Sequence, residues 1–336
     1  MAQKYSGHAV AFVLAAGVAA GVAAAQTAVV PPAVQRVAAE NITRSAIEAP
    51  IRYLADDLLE GRGPATRGDV LARLYLATQL KLLGYEPGGP DGSYQQPFNI
   101  VGTNAKMPEV WTFRTKNQNV DLKWSTDYIA GSGVQSEHGE INDAELVFVG
   151  YGIEAPEYLW NDYKGMNLKG KVFVMLNNDP DWDPKLFEGK RRLYYGRWVY
   201  KYESAARQGA AGVIIIHTTP SAGYPWQVVQ SSWGGTQFGL PDEGEPRIQV
   251  KGWATEDATR RLFKAAGQDL DKLVAAAHSR KFKPVALGIR TSFAFDNKVS
   301  RVRGSVSLPG DGAGRHQGVR AGHADPACED PRPQRP

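Results

Sequence analysis

The chain has 336 residues, with 39 Lys and Arg against 35 Asp and Glu, and a single cysteine. That length holds about two domains of ~150 residues, and 43% hydrophobic with 22% charged residues suits a folded chain rather than a wholly disordered one. One cysteine excludes an internal disulfide framework and a Cys-rich zinc site within one chain.

Residues 1–25 have the pattern of a secretory signal. Lys4 precedes an apolar run from Ala9 to Ala25, and Ala23-Ala24-Ala25 before Gln26 fits a small-x-small cleavage site. The run is short and Ala/Gly-rich for a bilayer span, so cleavage is expected rather than anchorage. The expected product is exported, periplasmic or extracellular, with no stable membrane span after cleavage.

At the other end, residues 301–336 hold six Arg, six Gly and five Pro, with no Lys and no aromatic residue. So few apolar groups do not offset the entropy of ordering, and a disordered tail is expected. The only cysteine, Cys328, lies in it. The leader contributes one positive charge (Lys4) and the tail two (six Arg against Asp311, Asp325, Glu329 and Asp330), which leaves +1 on residues 26–300. A nearly neutral body gives no electrostatic case for a nucleic-acid partner.

Between the ends the fold class reads as α/β, or α+β mixed. Val34 to Leu59 has helical spacing, with Ile47, Ile51, Leu54 and Leu58 on one stripe, and Glu60-Gly61-Arg62-Gly63-Pro64 breaks it. A second helix is predicted from Gly68 to Leu83, capped by Thr66 and ended by Gly84, with Leu71, Leu74, Tyr75 and Leu82 as its buried stripe. Val110 to Phe113 reads as a short strand. Leu146–Gly150, Lys171–Leu176 and Gly212–Ile216 read as buried strands. Helices are predicted over Arg197–Gln208, from the cap Thr255 through Lys264, and over Leu270–His278. Leu287, Ile289, Thr291, Phe293 and Phe295 alternate, the mark of a half-buried strand.

The chemistry is sparse. Of six histidines, only His138, His217 and His278 fall between residues 26 and 300, too far apart in sequence for a local metal pair, and surface or strand-end positions are the ordinary reading. Gly165 to Lys171 has the Gly-x4-Gly-Lys spacing of a phosphate loop, but Val172 replaces the hydroxyl residue and the lysine leads into a strand, not a helix. Asp179, Asp181 and Asp183 open like an EF-hand loop, yet Pro184 and Lys190 occupy the positions that need Gly and Glu, so a solvated acidic loop is expected. Gly304-Ser305-Val306-Ser307-Leu308 lacks the second glycine of a nucleophile elbow, and Cys328 has no setting that would lower its pKa. His323-Ala324-Asp325 has metal-ligand spacing but no further histidine follows it.

Several segments together resemble the secreted, two-metal zinc aminopeptidases that carry an inserted protease-associated (PA) domain. Leu54 to Gly63, Leu83 to Gly88 and Tyr94-Gln95-Gln96-Pro97-Phe98 resemble that family's lead-in to the peptidase domain. Val149-Gly150-Tyr151-Gly152-Ile153, Asn161-Asp162-Tyr163, Gly170-Lys171-Val172 and Ala205 to Ile216 resemble the PA domain. The resemblance covers residues 35–300 and implies these parts: signal peptide 1–25, incomplete N-terminal peptidase part 26–140, PA-like domain 141–285, returning strand 286–300 and tail 301–336. It implies hydrolysis of N-terminal residues from peptides by water activated on two zinc ions in the full-length family. Where the family's His-x-Asp and Glu-Glu motifs should follow, this chain runs Arg301-Val302-Arg303-Gly304 into the tail. No catalytic, cofactor or metal role is therefore assigned to any residue, and the chain is expected to be inactive. The composition of 301–336 is what an out-of-frame reading of GC-rich DNA encodes. Translating the other two frames beyond codon 300 tests this: a frameshift predicts that one of them holds the missing motifs.

The alternative is a PA-like binding or interaction module without catalysis, with Tyr194 to Tyr200 either an exposed contact patch or, as favoured here, core packing. A Ser or Cys hydrolase is the third and weakest reading. Peptides are the substrate class the resemblance implies, and the oligomeric state stays open. Without the family's catalytic sheet, the stripe Leu71, Leu74, Tyr75 and Leu82 lacks its cover, and residues 26–140 are expected to aggregate or be proteolysed.

Overall fold

The structure, a computed structural model, describes residues 32–307 and Pro309. Helices α1 (Pro32–Glu40), α2 (Arg44–Leu54) and α3 (Arg67–Leu82) come first. Strands β1 (Gln95–Lys106), β2 (Val110–Arg114), β3 (Asn119–Lys123), β4 (Tyr128–Ser132), β5 (His138–Phe148), β6 (Glu154–Ala155), β7 (Trp160–Asn161) and β8 (Val172–Leu176) follow. Then come α4 (Trp198–Arg207), β9 (Gly212–His217), α5 (Thr219–Ala222), α6 (Trp226–Ser232), β10 (Gln237–Gly239), β11 (Val250–Thr255), α7 (Glu256–Ala265), α8 (Leu270–Ala277) and β12 (Val285–Ser307). The expected mixed α/β class is what the chain forms: ten strands join one mixed sheet, and β6 and β7 make a small hairpin.

The sheet path is β10-β1-β12-β5-β8-β9-β11-β4, with β2 pairing β12 and β3 pairing β2. Its centre, β5-β8-β9-β11, is parallel. The short apolar runs explain why. Val172 to Met175 and Gly212 to His217 are buried throughout, as strands covered on both faces must be. One face packs α7 and α8 through Leu262, Phe263, Leu270 and Ala277, and the other packs α4 and α6 through Tyr202, Ala205, Ala206 and Val229. Thr255 caps α7 as expected, its Oγ1 accepting from Ala258 N at 3.2 Å.

β12 is longer than its alternating pattern suggests. Odd residues from Leu287 to Asn297 are buried, and a bulge at Gly288, which has φ +63°, lets the strand follow β5. The second half pairs with β1 from Gln95↔Ser307 to Lys106↔Asp296. This corrects the expected tail boundary: residues 301–307 are strand, because β1 supplies a full ladder for backbone groups that sequence alone left unpaired. The remainder of that segment apart from Pro309, with His316, His323, Asp325 and Cys328, lies outside the described residues, as does the leader 1–25.

The expected boundary at 140/141 does not separate two cores. Trp111, Phe113, Leu122 and Tyr128, from the part read as the peptidase lead-in, belong to the same buried cluster as Phe148 and Phe263. Trp111 Nε1 donates to Thr291 Oγ1 at 2.8 Å inside that cluster.

The N-terminal helices differ from expectation in two ways. The single helical pattern from Val34 to Leu59 is broken at Asn41–Thr43, where Thr43 caps α2 by accepting from Ala46 N. The face of α3 that packs is Gly68 and Ala72, not the leucine stripe. Gly68 lies so close to Leu59 O that a Cβ there would stand 1.6 Å from it. Leu58, Leu74 and Leu82 are 80%, 63% and 75% exposed. Tyr53 and Tyr75 stack at 4.3 Å and join α2 to α3.

Candidate functional site

The carboxyl ends of the parallel strands converge on a pocket of about 240 Å³. Such ends lack the cover that crossover helices give the rest of the sheet, and ligands of open α/β sheets bind there. The chain leaves β5 into Tyr151, β8 into Asn177, Asn178 and Asp179, β9 into Thr218 and Ser221, and β11 into Glu256. Arg260 of α7 and Asp271 of α8 close the far side.

Lys201 holds two of these walls together. It is fully buried on α4, and its Nζ donates to Tyr151 O and Asn178 O, each at 2.7 Å. Burial pushes its ammonium down to about 7, against the pull of Asp179 and Asp162. Burial also pushes Asp162 up to about 6, opposed by the hydrogen bond from Ile153 N at 3.0 Å. Asp179 is raised for the same reason, while its Oδ2 accepts from Leu193 N at 2.9 Å.

The solvated acidic loop expected at Asp179, Asp181 and Asp183 is therefore only partly so. Asp181 is exposed, but Asp179 is 3% exposed. Leu193 N donates to Asp179, and the charge of Lys201 lies near it, both from distant points of the chain that a local spacing cannot reveal.

Two side-chain amides line the same pocket. Asn177, 6% exposed, donates from Nδ2 to Ser221 O at 3.1 Å, and its Oδ1 has no partner among the described residues. Asn178 Oδ1 is shielded from solvent and also lacks a partner. Arg192 donates to the same Ser221 O. Arg260 is forked between Glu256, at 2.6 Å from Nη2, and Asp271, at 2.8 and 2.9 Å. Beside the pocket, Trp182 stacks on His278 at 4.6 Å and lies 6.2 Å from Tyr151.

The three histidines stay apart. His138 is exposed and bonds Asp296 at 2.9 Å, which raises its pKa. His217 is buried at the end of β9 with Nε2 3.2 Å from Tyr224 O, and burial lowers its pKa. Among the described residues no three His, Cys, Asp or Glu side chains form a metal-holding group. The donor set of the pocket also does not fit zinc, which takes nitrogen and sulfur ligands readily: Glu256 and Asp271 are committed to Arg260, and no histidine lines the space. Gly165–Lys171 leads into β8, and Lys171 Nζ pairs with Glu145 at 2.7 Å. Tyr194 and Tyr195 pack on Tyr200, 5.0 Å away for Tyr195, which also meets Phe187, whereas Trp198 turns to Tyr202 and Trp233 and is 42% exposed. The pocket itself was not legible as a site; its one sequence signal was the run of Asn and Asp that follows β8, Asn177-Asn178-Asp179 with Asp181. No protein-family model matches the chain, and no curated protein matches its sequence.

Proposed function

We propose that the chain is an exported, non-catalytic relative of the two-zinc aminopeptidases with an inserted PA domain, and that its parallel-sheet body binds peptides. The observation that carries the binding reading is the pocket at the ends of β5, β8, β9 and β11, one wall of which is Tyr151 from the Val149–Ile153 segment of the resemblance. A peptide offers main-chain N–H groups, and the pocket presents acceptors at Asn177 and Asp181. The leader sequence supports export to the periplasm or beyond.

The purified full chain is expected to hold no stoichiometric zinc, to release no N-terminal residue from aminoacyl chromogenic amides, and to bind short peptides with a change in tryptophan fluorescence from Trp182. Chelator-sensitive aminopeptidase activity of the protein would overturn the non-catalytic reading. Failure of every member of a random short-peptide set to bind would overturn the peptide reading.

A further inference from the structure

The donors of the pocket wall are already committed to protein oxygens. Arg260 is forked between Glu256 and Asp271, Arg192 donates to Ser221 O, and Lys201 donates to Tyr151 O and Asn178 O. What faces the space is a set of acceptors. Asn177 is more than nine-tenths buried with its Oδ1 unpartnered among the described residues, and the carboxylate of Asp181 has no hydrogen-bond or ion-pair partner there. Asp179 adds a buried carboxylate at the base. An amide carbonyl that lines the pocket without a protein donor can accept from a ligand that brings N–H groups. The lining holds four carboxylates and one arginine, with Lys201 and Arg192 behind it near Asp179, so the balance of charge stays acidic.

We propose that this pocket binds a primary alkylammonium group, from either a free diamine or a lysine side chain, with Asn177 and Asp181 accepting its N–H bonds. This rests on the reading of the pocket as the binding site of the body. The volume of about 240 Å³ suits a short aliphatic amine rather than a drug-sized ligand. No uncommitted cation in the lining is available to receive a carboxylate, so a free acid is excluded from the same space.

Calorimetric titration of the full chain tests this, using 1,4-diaminobutane, Nα-acetyl-lysine methylamide, the neutral isostere 1,4-butanediol, and butyrate. Binding of either amine, without the diol or butyrate, is expected. The diamine alone binding identifies a free amine as the source, and the lysine derivative binding identifies a side chain. Asp181→Asn, at an exposed rim position, should weaken amine binding about tenfold, the loss of one charge-assisted hydrogen bond. No amine binding by a chain that unfolds cooperatively, equal binding of the diol, or unchanged affinity in Asp181→Asn would overturn the proposal. An acetylated, lysine-free peptide separates it from the broader reading. If that peptide binds and the amines do not, the ammonium pocket fails while peptide binding stands; if the amines bind and no peptide does, the reverse holds.

Discussion

Replacing Lys201 by Met removes the buried ammonium that ties the end of β5 to the end of β8. Methionine keeps most of the length and the apolar stem. It leaves Tyr151 O and Asn178 O without their 2.7 Å donor, and it leaves Asp162 with only Lys164 and Asp179 with only Arg192 as a neighbouring cation. Each orphaned buried carbonyl costs ~1–3 kcal/mol. Removing one side of a buried charged arrangement costs ~3–5 kcal/mol. The burial penalty of Lys201 itself, visible in its depression to about 7, is relieved by the change and offsets part of this. A net loss of ~3 kcal/mol at pH 7 follows. The pH dependence gives an independent sign. With its pKa lowered, Lys201 binds fewer protons in the folded than in the unfolded chain between about 7 and the ordinary 10.5, so wild-type stability rises with pH across that window. Asp162 works in the opposite sense below it. Raised to about 6, it binds more protons folded than unfolded between the ordinary 3.8 and 6, and its contribution falls as pH rises there. In Lys201→Met the rise between pH 7 and 9 shrinks to the part contributed by Lys251, also lowered by burial, and the fall due to Asp162 extends upward because the Lys201 cation is gone. Urea unfolding followed by tryptophan fluorescence at pH 7 and pH 9 measures both. A variant within ~1 kcal/mol of wild type at pH 7, or one that keeps the wild-type rise, would refute the reasoning.

Thr291→Val should lower the unfolding free energy by ~1–3 kcal/mol, read as a lower urea midpoint with an unchanged slope, because Thr291 Oγ1 accepts from Trp111 Nε1 and donates to Thr112 O, both at 2.8 Å, in a fully buried setting. The exposed leucines of α3 predict concentration-dependent association of the full chain in sedimentation velocity. Leu74→Glu with Leu82→Glu should shift it toward the monomer, and a wild type that sediments as a monomer at every concentration would rule this out.

Local patterns carried much of the sheet. The apolar runs at 146–150, 171–176 and 212–216 and the alternation at 287–295 fall on strands, although β5 ends at Phe148 and starts at His138, and Thr66 and Thr255 cap their helices, their Oγ1 accepting from Asp69 N and Ala258 N. These features depend on neighbours within a turn or a strand, so short-range chemistry is enough to specify them. β11 and β1 were not legible. Val250–Thr255 mixes Lys, Gly and Trp, and is buried only because β9 and β4 flank it. Gln95–Lys106 is polar at half its positions and is held by its long ladder with β12.

The chain's composition also determined that its charge lies mostly at its ends, and local spacing determined where the parallel strands stop. Only tertiary structure decided which groups meet there. Asp179 and Asp181 are two residues apart and read alike, yet one is buried under Leu193 N and near Lys201 while the other is exposed. Burial is a property of what the fold brings over a residue, and the elements that cover Asp179 arrive from elsewhere in the chain. The same holds for the leucine stripe of α3: its periodicity marks an apolar face, but whether that face is covered depends on a partner surface that no periodicity encodes.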